Sequence, residues 1–255
     1  MALLSRLGPS FNADVAPQSI VPGVPATFRN SGDSVVNLTR LADRLRTKAQ
    51  EIRFACWTLD PAGSRYWRFL AAILDAWRLL DTPYEQIFTH LTPNEKHVLY
   101  LLSARLGKGA TIVEVGSFLG ASACFMALGL KKRGKIYCVD TWNNEAMDEP
   151  ERDTFAEFEA LVRPLRQAII PLRGQSIEVA KKFSGTVDLL FIDADHSYDA
   201  CLSDWKAWSQ FLADGAVVVF HDTGWAEGVV RVVEDHVVPR AKKVARMRNM
   251  FVAWL

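Results

Sequence analysis

The sequence has no large excess of either charge. It contains 30 Lys and Arg against 29 Asp and Glu in 255 residues, a formal net charge of +1. Attraction to nucleic acid or to anionic membranes needs a basic surplus, so this balance argues against both partners. Long apolar runs are also missing, because the longest, at 69–80, is interrupted by Asp75 and Arg78. The N-terminal apolar stretch is too short for a secretory signal, and we expect a cytoplasmic protein.

Cysteine is scarce and unpaired in the sequence. The four cysteines are widely separated and form no C-x-x-C pair, which argues against a zinc site or a disulfide framework. The G-x-G-x-x-G spacing that holds a pyrophosphate is missing as well, which disfavours a nicotinamide-dependent dehydrogenase.

The chain divides by composition near residue 84. Four prolines in the first thirty or so residues predict an extended arm, and 35–53 and 64–80 show apolar residues at helical spacing. We therefore predict an N-terminal region, 1–84, that serves in oligomerisation or as a lid, and a main domain at 85–255. Large apolar side chains at 64–80 exceed what one helical layer needs to bury, so we predict a homodimer or a higher homo-oligomer.

From residue 111 onward, short apolar runs alternate with amphipathic segments. The runs read TIVEVG (111–116), KIYCVD (135–140), AIIPLRG (168–174), VDLLFID (187–193) and GAVVVFHD (215–222). Near-continuous apolar strands separated by helices are typical of a parallel sheet that is covered on both faces.

Helices are predicted between and around these strands. One begins near Thr92, where Thr-Pro-Asn-Glu forms a capping box, and the others are expected at 120–132, 150–163, 176–183, 196–212 and 226–239. The segments 242–248 and 250–255 read as a closing antiparallel hairpin. The predicted fold is a Rossmann-like, doubly wound α/β fold with a mostly parallel seven-stranded sheet, preceded by the N-terminal helices.

Ligands of such folds bind at the carboxyl ends of the strands. The first strand ends at Glu114, whose carboxylate disfavours a phosphate and favours a cation. Gly116 and Gly120 permit a tight turn close to a ligand. Asp140 ends the second strand and can bind the two hydroxyls of a ribose. A ligand with a ribose and a positive charge but no phosphate is S-adenosylmethionine.

These motifs resemble those of the class I S-adenosylmethionine-dependent methyltransferases over about residues 92–255. The resemblance is closest to the small O-methyltransferases of the catechol type and to the sugar and macrolide-tailoring enzymes. It implies that an E-x-G-x-x-x-G-x-S loop holds the methionine part, that the acidic residue ends the second strand at the ribose, and that a G-x-S lies by the adenine. The implied cofactor-binding residues are Glu114, Gly116, Ser117, Phe118, Gly120, Ser122, Asp140, Thr141, Gln175, Ser176 and Asp193.

The resemblance also implies a catalytic centre at the fourth and fifth strand ends. Asp193 and the pair His221-Asp222 fall on the positions that hold a divalent ion, and His196 falls on that of the general base. The departure is His221, where relatives carry a carboxylate. Imidazole suits Mn²⁺ better than Mg²⁺, so the departure weakens the magnesium assignment in particular. Asp195 is expected to point away from the ion.

Outside this centre, His90, His97 and His236 are interpreted as helical residues with structural or exposed roles. Trp142, Trp225 and the stretch 143–153 are candidates for a mobile cover over the acceptor, with simple packing of the tryptophans as the alternative.

The predicted function is an O-methyltransferase that acts on a hydroxyl of a small molecule, a sugar, glycoside or natural product, with metal-assisted deprotonation by His196. A hydroxylase-like or hydrolase relative on the same fold and a catalytically silent adenosyl-binding protein remain alternatives.

Overall fold

The computed structural model describes residues 82–144 and 151–255. Seven strands form the sheet. They are β1 (Ala110–Val115), β2 (Gly134–Asp140), β3 (Ile169–Arg173), β4 (Val187–Ile192), β5 (Leu212–His221), β6 (Lys243–Arg246) and β7 (Met250–Trp254).

Six α-helices are present in the same ranges. They are α1 (Pro93–Ala104), α2 (Ala121–Leu130), α3 (Phe155–Val162), α4 (Ser176–Ala180), α5 (Tyr198–Ser209) and α6 (Glu227–Val232). The capping box predicted at Thr92 is confirmed, since Glu95 N–H donates to the Thr92 side chain and Thr92 N–H donates to Glu95 Oε2. No helix in the described ranges is long and apolar enough to span a bilayer.

The sheet order is β3-β2-β1-β4-β5-β7-β6, with β1 to β5 parallel and β7 antiparallel to both of its neighbours. This confirms the predicted fold, including the closing hairpin. The direction of strand progression reverses between β1 and β4, and a crevice opens at the carboxyl ends of the strands where that happens. The predicted site residues follow those strand ends.

Alternation along the strands fills two cores, one on each face of the sheet. Ile112 of β1 packs with α1, α2 and α3 on one face, while Val113 packs with α4, α5 and α6 on the other. Gly129 lets α2 lie directly on α1, because a Cβ there would meet the Tyr100 carbonyl oxygen at 2.4 Å. Both faces are covered, as the near-continuous apolar strands predicted.

Several predicted boundaries are corrected by the structure. The helix expected at 226–239 leaves α geometry after Val232 and continues as a π-turn, Val233–Val237, because Pro239 cannot continue the helical hydrogen bonding. The helix expected from 150 begins only at Phe155. The N-terminal region, 1–84, lies outside the described residues except for its last three, so its helices and the homo-oligomer stay predictions.

Candidate active site

A cavity of about 860 Å³ opens at the carboxyl ends of β1 to β5. This volume suits a nucleoside-sized ligand together with a small acceptor. Most of the predicted site residues line it: Gly116, Ser117, Phe118, Ser122, Asp140, Thr141, Gln175, Ser176, Asp193, His196 and Asp222. Glu114, Gly120 and His221 do not line it, and they lie behind its wall.

The loop after β1 is held in place by hydrogen bonds from its backbone N–H groups to the Asp140 side chain. Ser117 and Phe118 donate their N–H groups to Asp140 Oδ2 at 2.7 and 2.9 Å, and Trp142 N–H donates to Asp140 Oδ1 at 2.6 Å. Gly116 has φ +83°, and a Cβ there would lie 2.0 Å from the Asp193 carbonyl oxygen. Glycine at 116 is therefore required for the β1 loop to approach the end of β4.

Glu114 acts beneath this loop. It is fully buried, and its Oε2 accepts a hydrogen bond from the Ser117 hydroxyl at 2.7 Å, while Oε1 has no hydrogen-bond partner among the described residues. Burial raises the pKa of Glu114 to about 7, against the hydrogen bonds of nearby hydroxyls that lower it. Glu114 thus bonds Ser117, which lines the cavity, and does not line the cavity itself.

The segment after β3 lies at another wall of the cavity. Gln175 is exposed, and Ser176 begins α4, where its hydroxyl oxygen accepts a hydrogen bond from Trp208 Nε1 at 2.9 Å. Asp204 of α5 lies beside Ser176, and burial raises the pKa of Asp204 to about 6 against a hydrogen bond from Ser176. The predicted G-x-S therefore lies beside a buried carboxyl, that of Asp204, which belongs to no sequence motif.

Asp193, His221 and Asp222 meet at the ends of β4 and β5, with one potential ligand atom of each within 4.8 Å of the others. His221 Nδ1 lies 3.0 Å from Asp193 Oδ1 and 3.2 Å from Asp222 Oδ2. On the other side of the ring, Nε2 lies 3.5 Å from Glu95 Oε2 and 3.3 Å from Asn249 Nδ2. A buried imidazole is thus surrounded by three carboxylates.

Charges in this cluster shift its pKa values strongly. Burial alone would lower the pKa of His221, but the charge of Asp193 and hydrogen bonds with Asp193, Asp222 and Glu95 raise it to about 12. Burial would raise the pKa of Asp222, yet hydrogen bonds from His196 and His221 hold it well below its usual range. The raised pKa favours the imidazolium form of His221, whose charge would neutralise the strand-end carboxylates.

His196 stands at the cavity face of the cluster. Its Nε2 lies 2.8 Å from Asp222 Oδ2, and its pKa is raised by that hydrogen bond, against burial. Its Nδ1 makes no hydrogen bond to any described residue. The turn that carries it is fixed because Ser197 N–H donates to Asp195 Oδ1 at 2.7 Å and because Gly228 of α6 packs against the His196 carbonyl. Asp195 is exposed and lies outside the cluster, as expected.

Two residues of this cluster were not singled out from the sequence. Glu95 was interpreted only as a capping-box residue, yet its Oε2 bonds Thr92 and faces His221. Asn249, in the turn between β6 and β7, donates from Nδ2 to Asp222 Oδ1 at 3.0 Å. Neither position carries a motif, because each reaches the site only through the tertiary arrangement.

The aromatic side chains expected over the acceptor behave differently from one another. Trp142 is fully buried, packs on Phe155 and Phe158, and donates from Nε1 to the Phe118 carbonyl at 2.8 Å, so its assignment to a cover was wrong. Trp225 is 65% exposed, lines the cavity and donates from Nε1 to Asp222 Oδ1.

The remaining predictions near the mouth concern the cover segment and the histidines. Residues 145–150 of the expected cover lie outside the described ranges. His97 is buried in α1, and His236 bonds the Tyr198 hydroxyl at 3.1 Å. His90 differs from the expectation, since it lies in a bend between the short 3₁₀ helix Pro83–Gln86 and α1, and it lines the cavity.

Asp193, His221 and Asp222 can bind a divalent ion together only if His221 Nδ1 carries no proton. This nitrogen faces both aspartates, and it can either donate a proton to them or bind a metal, but not both. In the metal-binding form the ring proton would sit on Nε2, toward Glu95, which is the carboxylate–histidine arrangement common around protein-bound metals. A mixed oxygen and imidazole set suits Mn²⁺ better than Mg²⁺.

Comparison with known proteins agrees with this fold. Residues 113–223 match a family described as a methyltransferase domain, a stretch that begins within β1 and includes β2, β3, β4 and β5. A "Probable O-methyltransferase" of Mycobacterium tuberculosis is 31% identical over 137 residues, which cover 51% of this chain and 55% of that protein. The chain spans about half the length of the curated relatives it matches.

Solved structures show the same fold at low sequence identity. The O-methyltransferase TomG from Streptomyces achromogenes, involved in tomaymycin synthesis and solved with S-adenosylmethionine, superposes with a TM-score of 0.53 at 17% identity, covering 82% of this chain and 96% of that one. An O-methyltransferase from Bacillus cereus, solved with S-adenosylhomocysteine, gives 0.53 at 15% identity, covering 81% and 97%.

The sheet order is that of a doubly wound α/β domain with its cavity at the carboxyl ends of the parallel strands. Together with the match of residues 113–223 to a methyltransferase domain, it confirms the resemblance that the motifs indicated. The fold is the one found in O-methyltransferases solved with S-adenosylmethionine or S-adenosylhomocysteine.

Proposed function

We propose that the protein is an S-adenosylmethionine-dependent O-methyltransferase that acts on a hydroxyl of a small molecule. The proposal rests on one observation: the same cavity is lined by the β1 loop, Asp140, the segment after β3 and His196. A cofactor site and a proton acceptor are the two parts that methyl transfer to a hydroxyl requires. The three proteins named above carry the names "Probable O-methyltransferase" or O-methyltransferase, which supports the same chemistry.

In this proposal the cofactor follows the order of the strand ends. Its methionine part lies on the loop 116–122, its ribose at Asp140, and its adenine toward Gln175 and Ser176. Asp140 already accepts three backbone N–H groups, so it binds the ribose with its remaining acceptor capacity while it holds the loop in place. The sulfonium then faces the acidic end of the cavity, where Asp193 lies.

His196 is the proposed general base. Asp222 holds Nε2 of the ring, so the neutral tautomer carries its proton there and presents Nδ1 to the acceptor hydroxyl. Nδ1 takes the hydroxyl proton as the oxygen attacks the methyl carbon in line with the sulfur. The C–S bond breaks as the O–C bond forms, and the sulfur leaves as a neutral thioether. Asp222 stabilises the imidazolium that results.

A divalent ion held by Asp193, His221 and Asp222 would lower the pKa of the acceptor hydroxyl when bound. Asp222 then contributes to both halves of the site, because its Oδ2 lies between His196 and His221. Asn249 and Trp225 bond its Oδ1, which fixes the carboxylate at a backbone position with φ +58°.

The charge of the cavity narrows the class of acceptor. Six aspartates and no Lys or Arg are among its described lining residues, with Phe88 and Trp225 exposed at its edge. An anionic acceptor such as a phosphorylated sugar would be repelled by these carboxylates, whereas a neutral or amine-bearing ring can lie on the aromatic faces. We therefore propose a neutral or cationic hydroxylated acceptor, such as a glycoside or an amino sugar.

Calorimetry with S-adenosylhomocysteine tests the cofactor half. The wild type should bind it, and Asp140→Asn should bind about 10- to 100-fold more weakly, as expected when a charged acceptor is lost. Asp188→Asn is the matched control, since Asp188 also accepts a backbone N–H, from Thr111, at the start of β4. A wild type that binds no S-adenosylhomocysteine would reject the proposal.

Mass spectrometry of a panel of neutral, amine-bearing and phosphorylated hydroxyl compounds incubated with S-adenosylmethionine tests the reaction. A product that gains a methyl group supports the proposal. A product that gains an oxygen would favour the hydroxylase-like alternative, and cofactor binding without any turnover would favour the silent one.

A further inference from the structure

A buried carboxyl lines the cavity away from the proposed chemistry. Asp204 of α5 is 7% exposed and lies among the lining residues with Ser176, Ile177 and Ser203. The Ser176 hydroxyl oxygen is occupied by the Trp208 indole N–H, so its own proton is directed to Asp204. Trp208 is itself fully buried, which fixes this chain of hydrogen bonds in the core.

The chemistry of this position is that of a hydrogen-bond acceptor. Burial raises the pKa of Asp204 to about 6, helped by the charge of Asp195 and opposed by Ser176, so the group is ionised at pH 8. An ionised carboxyl has two oxygens and accepts only. A buried charge with so few protein partners is costly unless another donor reaches it, and the cavity is the open side.

The fold places this carboxyl where the base of the cofactor would lie. In the proposed placement the ribose is at Asp140 on β2, and the base extends past the end of β3 to α4. There Ile177, 43% exposed, offers an apolar face to a flat ring. α4 packs on α5, which brings Asp204 to the same wall as Ser176.

We propose that Asp204 accepts a hydrogen bond from the 6-amino group of the adenine and so selects adenosyl over other purine ligands. The inference rests on the proposed function, because it assumes the adenosyl cofactor. A purine without the amino group would leave the carboxylate facing a C–H, with a buried charge unpaired. Such a mismatch weakens binding by roughly 10- to 100-fold.

Two ligands and two variants test this assignment by calorimetry at pH 8. The ligands are S-adenosylhomocysteine and its 6-deamino analogue, in which purine replaces adenine. The wild type should prefer the adenosyl ligand by about 10-fold or more. Asp204→Leu should abolish or reverse that preference, because the 6-amino group loses its acceptor whereas unsubstituted purine meets an apolar side chain. Asp199→Leu, an exposed cavity-lining aspartate of the same helix, should keep the wild-type preference.

The outcomes separate the two levels of the proposal. A wild type that binds both ligands equally, or an Asp204→Leu protein that keeps the full preference, overturns the role of Asp204 while leaving the cofactor intact. A wild type that binds neither ligand overturns the proposed function and this inference with it. If Asp204→Leu does not fold, Asp204→Asn removes the charge with little change in shape, and it should lower the preference by about 3-fold or more.

Discussion

The two ends of the cavity satisfy their carboxylates in different ways. At the β1 loop, Asp140 accepts three backbone N–H groups and Glu114 accepts a serine hydroxyl. At the ends of β4 and β5, Asp193 and Asp222 are paired with the imidazole of His221, and Asp222 also with that of His196. Backbone donors do not titrate, whereas an imidazole can lose its proton or exchange it for a metal. The backbone partners of Asp140 therefore cannot change their charge at this first, fixed end, whereas the imidazole partners of Asp193 and Asp222 can do so at the second, adjustable end.

The largest expected effect comes from removing the base at the adjustable end. His196→Ala should lower the methyl-transfer rate by about 10²- to 10⁴-fold, the usual contribution of a positioned general base. S-adenosylhomocysteine affinity should stay near the wild-type value, because the proposed cofactor contacts lie at the fixed end. Single-turnover rates and calorimetry measure the two effects separately. His236→Ala, which loses a hydrogen bond to Tyr198 outside the cavity, is the control, and full activity of His196→Ala would contradict the mechanism.

At the fixed end, the most damaging substitution should be one that disturbs the backbone of the β1 loop. Gly116→Ala should destabilise the protein by about 3 kcal/mol or more, because the new Cβ would meet the Asp193 carbonyl oxygen at 2.0 Å and φ is +83°. Gly215→Ala has a similar φ, +76°, with open space around the position, and should cost only about 1 kcal/mol. Urea unfolding of both variants compares them, and equal losses would show that close approach at Gly116 contributes nothing.

Metal binding should displace a proton at the adjustable end. The charge of Asp193 favours the imidazolium form of His221, so binding of Mn²⁺ through Nδ1 should release about one proton at pH 7 to 8. Titration calorimetry in two buffers of different ionisation enthalpy measures the number released. Asp222→Asn should bind Mn²⁺ weakly, and binding to the wild type with no proton release would show that the ion does not use His221 in this way.

Glu95 should have a smaller effect through His221. Glu95→Gln should weaken Mn²⁺ binding by about 10-fold, since carboxylates behind a metal-bound histidine orient it. The Gln side chain keeps an oxygen for Thr92, so the helix cap should survive. Thr92→Ala is the complementary control, which removes the hydroxyl that accepts from Glu95 N–H and leaves the carboxylate facing His221. Equal Mn²⁺ affinity in Glu95→Gln and wild type would contradict the assignment.

The pH below which the methyl-transfer rate falls should be shifted modestly upward. Asp222 raises the pKa of His196 above its usual value of 6.5, and only the neutral ring can act as the base. Activity should therefore fall as the pH is lowered through a value above 6.5, where most free histidines would still be neutral. A pH–rate profile measures this limb, and a midpoint at or below 6.5 would argue against His196 as the base.

Strand ends could be predicted because they depend on a local pattern. The apolar runs predicted the five parallel strands to within a few residues, and each run ended on a residue that lines the cavity. The capping box at Thr92 was likewise readable, because its two residues are three apart. Asp193 and Asp222 end two of the runs, whereas their roles and that of His196 came from the resemblance to the O-methyltransferases.

Contacts between distant parts of the chain could not be predicted in the same way. Asn249 lies in a hairpin turn whose register decides which side chain meets Asp222. Trp142 follows a strand end like the site residues, but its backbone at φ +58° turns the indole under the loop, onto Phe158. Asp204 has the spacing of an ordinary helix-surface aspartate, and only the packing of α4 on α5 buries it.

His221 contacts residues from opposite ends of the described chain, so its surroundings are complete only when both ends are folded onto the sheet. Glu95 belongs to α1, and Asn249 belongs to the β6–β7 hairpin at one edge of the sheet. The fixed end of the cavity is formed instead at the ends of β1 and β2, inside the sheet. Local opening of an edge hairpin costs less free energy than melting the central sheet. Mild heating or proteolytic cleavage of that hairpin should therefore abolish methyl transfer first, while the protein stays folded and still binds the nucleoside part of the cofactor.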